Sequence, residues 1–204
     1  MRHIIAIGGG EIGRPGYPVE TTEIDKHIIS LSGKTSPKVL FIPTASGDSA
    51  GYSDVFEQHY GRRLGCIATV LNLYSKPSRT SIESAINGAD IIYVGGGNTL
   101  KMMALWRRMG VDELLINAYH RGSVLSGLSA RAICWLKGGL SDSRSFSSGG
   151  KVWKYINVHG LGLQDLLICP HYDVEIQRPA ALKNFLKDTR KVAIALDNCS
   201  AIEI

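Results

Sequence analysis

Several polar residues stand where buried apolar runs end, and their types suit chemistry at a carbonyl carbon. Ser129 follows the apolar run 124–128, His171 follows the run 166–169 and a proline, and Asp197 and Asn198 follow the run 192–196. A serine hydroxyl can act as a nucleophile when an imidazole takes its proton, and a third polar group can orient that imidazole. The residue types therefore predict nucleophilic catalysis by a serine.

The segment around Ser129 resembles a nucleophile elbow, a sharp turn between a strand and a helix that exposes a hydroxyl. The usual pattern is G-x-S-x-G, and here Gly127 and Ser129 match while Arg131 replaces the last glycine. That glycine normally lets the helix pack close to the strand, so we expect Arg131 to point outward or to widen the turn. An ordinary helix capped by its first serine is the alternative reading.

The base is expected to be His171, because it alone among the six histidines directly follows a buried strand and stands at its end. We expect Ser129 and His171, 42 positions apart, to lie at the ends of different strands of one sheet. A structural histidine beside Pro170 is the alternative. The candidates for the third group are Asp197 and Asn198, with Asp142 as a further acid.

An oxyanion hole requires backbone N–H groups that face the substrate. One would come from Ala130, directly after the nucleophile, and the other from Gly96 or Gly97, where the main chain is free of side chains. Of these two glycines we favour Gly97. Asn98 is a candidate contact to the substrate, although its type also suits the cap of the following helix.

Strands and helices alternate along the chain, and the strands are nearly continuous apolar runs, as in parallel sheets covered on both faces by helices. The fold class expected is α/β, with a doubly wound and mostly parallel sheet and the site beyond the carboxyl ends of its strands. The predicted strands are 3–7, 39–42, 67–73, 90–94, 123–128, 166–169, 192–196 and 201–204. The predicted helices are 21–31, 53–64, 81–86, 99–109, 111–120, 130–136 and 179–186.

No linker or repeat interrupts this pattern, so residues 1–204 are expected to form a single catalytic domain. Residues 137–150 have a looser pattern and suggest an excursion or a hairpin. The final apolar run, 201–204, begins a strand for which no hairpin partner follows, which suggests a chain truncated at its C-terminus.

Composition excludes several classes of protein. Hydrophobic residues make up 44% and charged residues 20% of the 204 positions, which is ordinary for a globular domain. No apolar run reaches the 18 residues of a membrane span, and the apolar start of the chain is too short for a signal peptide, so we expect a cytoplasmic protein without membrane association. The net charge of +5 comes from scattered residues, which argues against nucleic-acid binding.

No cofactor is expected. The four cysteines contain no C-x-x-C pair, so neither zinc nor a disulfide framework is indicated. Gly8 to Gly13 formally match the dinucleotide pattern G-x-G-x-x-G, but Pro15 and Pro18 would break the helix that a nucleotide site needs, and no acid follows the second strand.

Three motifs in order resemble the peptidase E family of serine peptidases, which includes α-aspartyl dipeptidases and is more distantly related to cyanophycinase. They are Tyr93 to Thr99 (Y-V-G-G-G-N-T), the Ser-Ala elbow followed by Ile-Cys-Trp, and Pro170-His171-Tyr172. The similarity extends from Gly8 to Asn198. It implies a three-layer sandwich of the class I glutamine amidotransferase type, with Ser129 as nucleophile, His171 as base and an acidic third member at or next to Asn198.

The resemblance also implies short peptide substrates, including peptides with an N-terminal aspartate, and a monomer or homodimer. Arg178, at the start of a predicted helix, is the candidate cation for the substrate carboxylate, and Arg131 could instead reach into the pocket. Asn198 and Arg131 both depart from the family pattern. A catalytically impaired peptidase, or a non-catalytic protein that binds peptides or small molecules on the same fold, is therefore the second hypothesis.

Overall fold

The computed structural model describes residues 1–144, 155–187 and 190–204. Within these ranges the strands are β1 (Ile4–Ile7), β2 (Lys38–Ile42), β3 (Ile67–Val70), β4 (Ile91–Val94), β5 (Val124–Leu128), β6 (Gly138–Ser141), β7 (Ile156–His159), β8 (Leu167–Cys169), β9 (Ala193–Ala195) and β10 (Ala201–Glu203). The α-helices are α1 (Thr22–Leu31), α2 (Ala50–Phe56), α3 (Arg79–Asn87), α4 (Thr99–Met109), α5 (Val111–Arg121), α6 (Ala132–Trp135) and α7 (Arg178–Leu186).

The larger sheet has six strands in the order β10-β1-β5-β4-β2-β3. Every neighbouring pair is parallel except β10 and β1, which are antiparallel. The central strands β1, β4 and β5 are buried along their whole length. The prediction of a mostly parallel, doubly wound sheet is confirmed.

Alternate side chains of this sheet enter two separate cores, as the period of two in a strand requires. Ile4 and Ala6 of β1 belong to the core that contains α4, α5 and α6. Ile5 and Ile7 belong to the opposite core, which contains Phe56 and other aromatic side chains of the α2 region. The sheet is thus the middle layer of a three-layer sandwich.

A second, smaller sheet has the order β7-β6-β8-β9, and the sequence did not predict it. β6 and β7 pair antiparallel, whereas β6 with β8 and β8 with β9 pair parallel. The expectation that Ser129 and His171 end strands of one sheet is therefore wrong, because β5 belongs to the larger sheet and β8 to the smaller one. The hairpin suggested for 137–150 falls partly on 145–150, which lie outside the described residues.

Helix α6 connects the two sheets, since it packs against β1 and β5 on one side and β6 and β8 on the other. Gly139 makes this packing possible. A Cβ added there would lie 2.3 Å from the carbonyl oxygen of Ile168 and 2.7 Å from the Ile133 side chain. Strand β6 can therefore lie between α6 and β8 only without a side chain at this position.

Most predicted helices are found close to their expected bounds, with two differences. The predicted helix 53–64 begins earlier, at Ala50, and continues after Phe56 as a π-helical segment, Glu57–Arg63. The predicted helix 130–136 is shorter, because its first turn is a 3₁₀ turn over Ser129–Arg131. In the described part of the chain, no helix has the length and apolar character needed to cross a bilayer.

The aromatic core predicts a large cost for losing Phe56. Its ring stacks on Phe41 at 4.2 Å and on Tyr60 at 4.4 Å between centroids, and the residue is fully buried. Phe56→Ala should lower the free energy of unfolding by about 3–5 kcal/mol in urea denaturation, because transfer and cavity costs add.

The matched control is Tyr74→Ala, which removes an aromatic ring from a residue that is 49% exposed. It should change stability by much less. Equal losses in the two variants would contradict the expected transfer and cavity cost of losing a buried ring.

Candidate active site

Ser129 stands on a sharp turn between β5 and α6. Its φ of 65° lies in the left-handed region, which is strained for a residue with a side chain. A Cβ added at Gly127 would lie 2.6 Å from the carbonyl oxygen of Arg131, so the turn closes tightly only with glycine there. Neither the 3₁₀ turn nor α6 has a side-chain cap, so this serine is not an ordinary helix cap.

The hydroxyl of Ser129 contacts the imidazole of His171, with 2.5 Å between Oγ and Nε2. On the other side of the ring, Nδ1 lies 2.7 Å from the side-chain oxygen of Asn198. An amide oxygen can only accept, so Nδ1 carries a proton and the Nε2 of the neutral ring is left as the acceptor for the serine proton. The two ring contacts thus assign the tautomer that a general base requires.

Backbone hydrogen bonds around the first glycine turn bring these three residues together. The N–H of His171 donates to the carbonyl of Gly8 at 3.0 Å, and the N–H of Cys199 donates to the carbonyl of Gly9 at 3.0 Å. Both the His171 loop, which follows β8, and the Asn198 loop, which follows β9, are thereby held at the end of β1. Because β1 neighbours β5, this arrangement carries the imidazole to Ser129.

Gly9 is the position of closest approach. A Cβ added to it would lie 2.0 Å from Oδ1 of Asn198 and 2.5 Å from Nδ1 of His171. The glycine run that formally matches a dinucleotide motif thus makes room for the imidazole and its amide partner. No helix opens at these glycines, since α1 begins only at Thr22.

Among the three candidates for the third group, the structure brings only Asn198 to the imidazole. Its own N–H donates to the carboxylate of Asp173 at 2.9 Å, which helps to fix the loop. Asp197 is exposed. Asp142 follows β6, where its charge favours the protonated form of Arg131.

A cleft of about 290 Å³ opens in front of the serine and the imidazole. It is lined by Gly10, Glu11, Ile12, Gly13, Arg14, Ser49, Tyr52, Gly96, Leu128, Ser129 and His171. Sequence reasoning did not assign Glu11, Arg14 or Tyr52 to the site. The first two lie within and beside the glycine run, which could have drawn attention to them, whereas Tyr52 stands directly before the predicted helix 53–64 and no local pattern marks it.

Glu11 organises the wall of the cleft. Its carboxylate accepts hydrogen bonds from the N–H groups of Gly13 at 2.8 Å and Arg14 at 2.9 Å, and it pairs with the Arg14 guanidinium. Burial alone would raise the pKa of this carboxyl, but the hydrogen bonds and the neighbouring positive charge outweigh burial and hold the pKa below its usual value. The group is therefore a carboxylate at neutral pH and fixes the loop above the serine.

Arg131 does not point outward as expected, because only 2% of it is exposed. Its Nε and Nη2 groups have no hydrogen-bond partner among the described residues. Burial lowers the pKa of the Arg131 guanidinium to about 10, although the nearby Tyr52 and Asp142 favour the charged form. The buried Arg131 side chain does not separate Ser129 from His171. An arginine in place of the last elbow glycine is therefore compatible with the hydrogen bond between these two residues.

The second glycine turn follows β4, the neighbour of β5 in the sheet. Gly97 has a φ of 138°, and a Cβ there would lie 2.0 Å from the carbonyl oxygen of Ala45. Gly96 lines the cleft, and its N–H donates to the Tyr52 hydroxyl at 3.2 Å. Ala130, the other expected oxyanion donor, lies in the 3₁₀ turn next to Ser129.

The two residues expected to contact substrate are engaged within the protein. Asn98 caps α4 by accepting from the N–H of Lys101 at 3.0 Å, and its amide nitrogen donates to the carbonyl of Ser143 at 2.9 Å. The buried Arg178 donates to both carboxylate oxygens of Glu175, at 2.7 and 2.9 Å, and to the carbonyl of Leu140 at 3.0 Å. Neither residue lines the cleft around Ser129.

The described ranges also bear on metal binding. They contain no group of three or more His, Cys, Asp or Glu side chains that could hold a metal ion.

Fold and site together define an α/β three-layer protein in which a serine on an elbow faces a histidine from another strand end. The model of peptidase family S51 matches residues 4–204, and the chain belongs to this family. It is therefore a peptidase, and the resemblance to peptidase E drawn from its motifs is confirmed.

Similar proteins agree with this assignment. The uncharacterized peptidase YgaJ of Bacillus subtilis is 36% identical over 190 residues, which cover 92% of this chain and 76% of YgaJ. The structure of a Listeria monocytogenes EGD-e protein, provisionally assigned as a peptidase E, superposes with a TM-score of 0.72 at 21% identity, over 100% of this chain and 94% of the other. The structure of a peptidase from an acI-B1 actinobacterium superposes with a TM-score of 0.75 at 19% identity, over 100% of this chain and 83% of the other. At these identities the two structures support the three-layer fold alone.

The buried guanidinium of Arg131 leads to a prediction about stability. Arg131→Met keeps most of the side-chain volume and removes a buried charge with unsatisfied donors, which should raise the free energy of unfolding by about 1–4 kcal/mol in urea denaturation. Arg62→Met removes an arginine that is exposed. This control should leave stability nearly unchanged, and a destabilised Arg131→Met variant would mean that the charge is compensated in the folded protein.

Proposed function

We propose that this peptidase is a serine peptidase that hydrolyses short peptides through Ser129 and His171. The observation that carries the proposal is the 2.5 Å contact between Ser129 Oγ and His171 Nε2 at the cleft, with Nδ1 of the same ring bonded to Asn198. A nucleophile, a base and a group that orients the base thus stand in the required order.

In the proposed reaction, His171 removes the proton from Ser129 as its oxygen attacks the scissile carbonyl carbon. The N–H groups of Ala130 and Gly97 stabilise the oxyanion of the tetrahedral intermediate. His171 then gives its proton to the leaving amine, and an acyl-enzyme remains at Ser129. A water molecule, activated by the same imidazole, releases the second product and restores the serine.

Asn198 has an orienting role in this scheme. A carboxylate in its place would both orient the imidazole and stabilise the imidazolium that forms, whereas a neutral amide oxygen does only the first. We therefore propose a catalytic arrangement of Ser129, His171 and Asn198, in which Asp197 takes no part.

The proposed substrates are short peptides, including those with an N-terminal aspartate, and the proposed location is the cytoplasm. A cation for a substrate carboxylate is available on the cleft wall at Arg14, whose side chain is 66% exposed while it pairs with Glu11. Arg178 is buried against Glu175, which disfavours the role expected of it.

The second hypothesis, a non-catalytic binding protein or an impaired enzyme, depended on Arg131 disrupting the geometry of the elbow. The contact between Ser129 and His171 disfavours it, because the arginine leaves that geometry in place.

A fluorophosphonate probe tests the proposed nucleophile. The wild-type protein should be labelled on Ser129, and Ser129→Ala should lose both labelling and peptide hydrolysis, because no other hydroxyl of the cleft is paired with a base. Ser126→Ala is the matched control, since Ser126 lies in β5, the strand that leads to Ser129, and its buried hydroxyl has no partner among the described residues. Folded wild-type protein that hydrolyses peptides without being labelled at Ser129 would refute the mechanism.

A substitution at Gly9 tests the placement of the base. The atoms that a Cβ would strike are the ends of the Asn198 and His171 side chains, which can move aside while the fold stays intact. Gly9→Ala should therefore keep its melting temperature but lose about 100-fold in kcat, because displaced catalytic groups no longer align.

The control for this variant is Gly61→Ala, where the nearest atom would lie at an ordinary 3.6 Å. It should keep the wild-type rate. Full activity in Gly9→Ala would contradict the assignment of His171 and Asn198.

A further inference from the structure

The side chain of Tyr52 reaches the cleft from α2. The residue is only 8% exposed, yet it lines the same cleft as Gly96, Ser129 and His171. Its hydroxyl oxygen accepts a hydrogen bond from the N–H of Gly96, at 3.2 Å. That N–H is therefore occupied by the phenol and is not directed at a substrate.

The sheet register places this hydroxyl near the nucleophile. β4 and β5 are parallel neighbours in which Val94 lies opposite Gly127. Gly96 and Ser129 each follow these paired residues by two positions, in the turns beyond the same ends of the two strands, and both line the same cleft. The Tyr52 oxygen, bonded to Gly96, thus stands at the same edge of the sheet as the serine.

The ring of Tyr52 is held in a slot formed by two glycines. A Cβ at Gly13 would lie 2.8 Å from the ring, and one at Gly95 would lie 3.0 Å from it. Phe41 packs against the ring edge with 4.9 Å between centroids. The hydroxyl is therefore positioned before any substrate arrives, as electrostatic stabilisation of a transition state requires.

The proton of this hydroxyl is available. Its oxygen accepts from Gly96, and among the described residues no acceptor bonds to its O–H. Burial raises the pKa of Tyr52 to about 12, against the hydrogen bond from Gly96 and the charge of Arg131, so the phenol keeps its proton at neutral pH. The Tyr52 O–H can then donate to an acceptor of a molecule that enters the cleft.

We propose that the Tyr52 hydroxyl donates a hydrogen bond to the oxyanion that forms when Ser129 attacks the carbonyl carbon, while the Gly96 N–H positions that hydroxyl. The inference rests on the proposed serine mechanism and adds a side-chain donor to the backbone donors Ala130 and Gly97. The positive charge of Arg131 also acts on the Tyr52 phenol, where it opposes the effect of burial on the pKa.

The test is Tyr52→Phe, which removes one oxygen and keeps the ring in its slot. With p-nitrophenyl acetate as substrate, the Ser129-dependent rate is the rate of each protein minus that of the corresponding Ser129→Ala protein. Loss of one oxyanion donor should lower kcat by about 10²–10³-fold and leave KM nearly unchanged, because the bond forms mainly in the transition state.

Two further measurements separate a donor from a structural residue. Phenylboronic acid, which forms a tetrahedral adduct with the serine, should bind Tyr52→Phe more weakly by a factor similar to the loss in kcat. Tyr93→Phe is the matched control, since Tyr93 is also fully buried and its hydroxyl has no partner in the described part of the chain. This control should keep both kcat and the boronate affinity.

The outcomes distinguish the inference from the mechanism on which it rests. If a Ser129-dependent rate exists and Tyr52→Phe keeps it, the role of Tyr52 is refuted and the serine mechanism stands. If wild type and Ser129→Ala hydrolyse the ester equally, the serine mechanism fails and the role of Tyr52 fails with it. A higher KM with unchanged kcat in Tyr52→Phe would also overturn the inference, since it would indicate ground-state binding alone.

Discussion

The site depends on the close approach of two side chains to the backbone of Gly9. The imidazole of His171 and the amide of Asn198 occupy the space in which any other residue would carry its Cβ. The hydrogen bonds from His171 to Gly8 and from Cys199 to Gly9 hold both loops against the end of β1. Since β1 lies beside β5, this single contact region decides whether an imidazole can reach Ser129 at all.

Strain and burial are concentrated around the same point. Ser129 and His171 both have positive φ values, 65° and 54°, which cost free energy that the surrounding packing must offset. Arg131 adds a desolvated charge directly after the elbow. Such local costs are typical of sites where chemistry, rather than stability, determines the arrangement, and here they accompany a short contact between a hydroxyl and an imidazole.

The sequence predicted the larger sheet well, because its strands are continuous apolar runs and its helices have clear caps and glycine stops. It missed the smaller sheet, since β6 begins with Gly138 and Gly139, which resemble a loop. In the structure these positions must be glycine, because β7, β8 and α6 lie where their side chains would be. The pairing of Ser129 with His171 could be anticipated from strand ends. Arg131 was misjudged and Tyr52 was overlooked, because the burial of a guanidinium and the direction of a phenol are set by tertiary packing that no local pattern records.

The reacting side chains are divided between the two sheets that α6 joins. Ser129 follows a strand of the larger sheet, and His171 and Asn198 follow strands of the smaller one. A molecule that engages both sides of the cleft adds its binding free energy to the association of the sheets, by the ordinary linkage between occupancy and conformation. A ligand in the cleft should therefore stabilise the packing of the two sheets against each other.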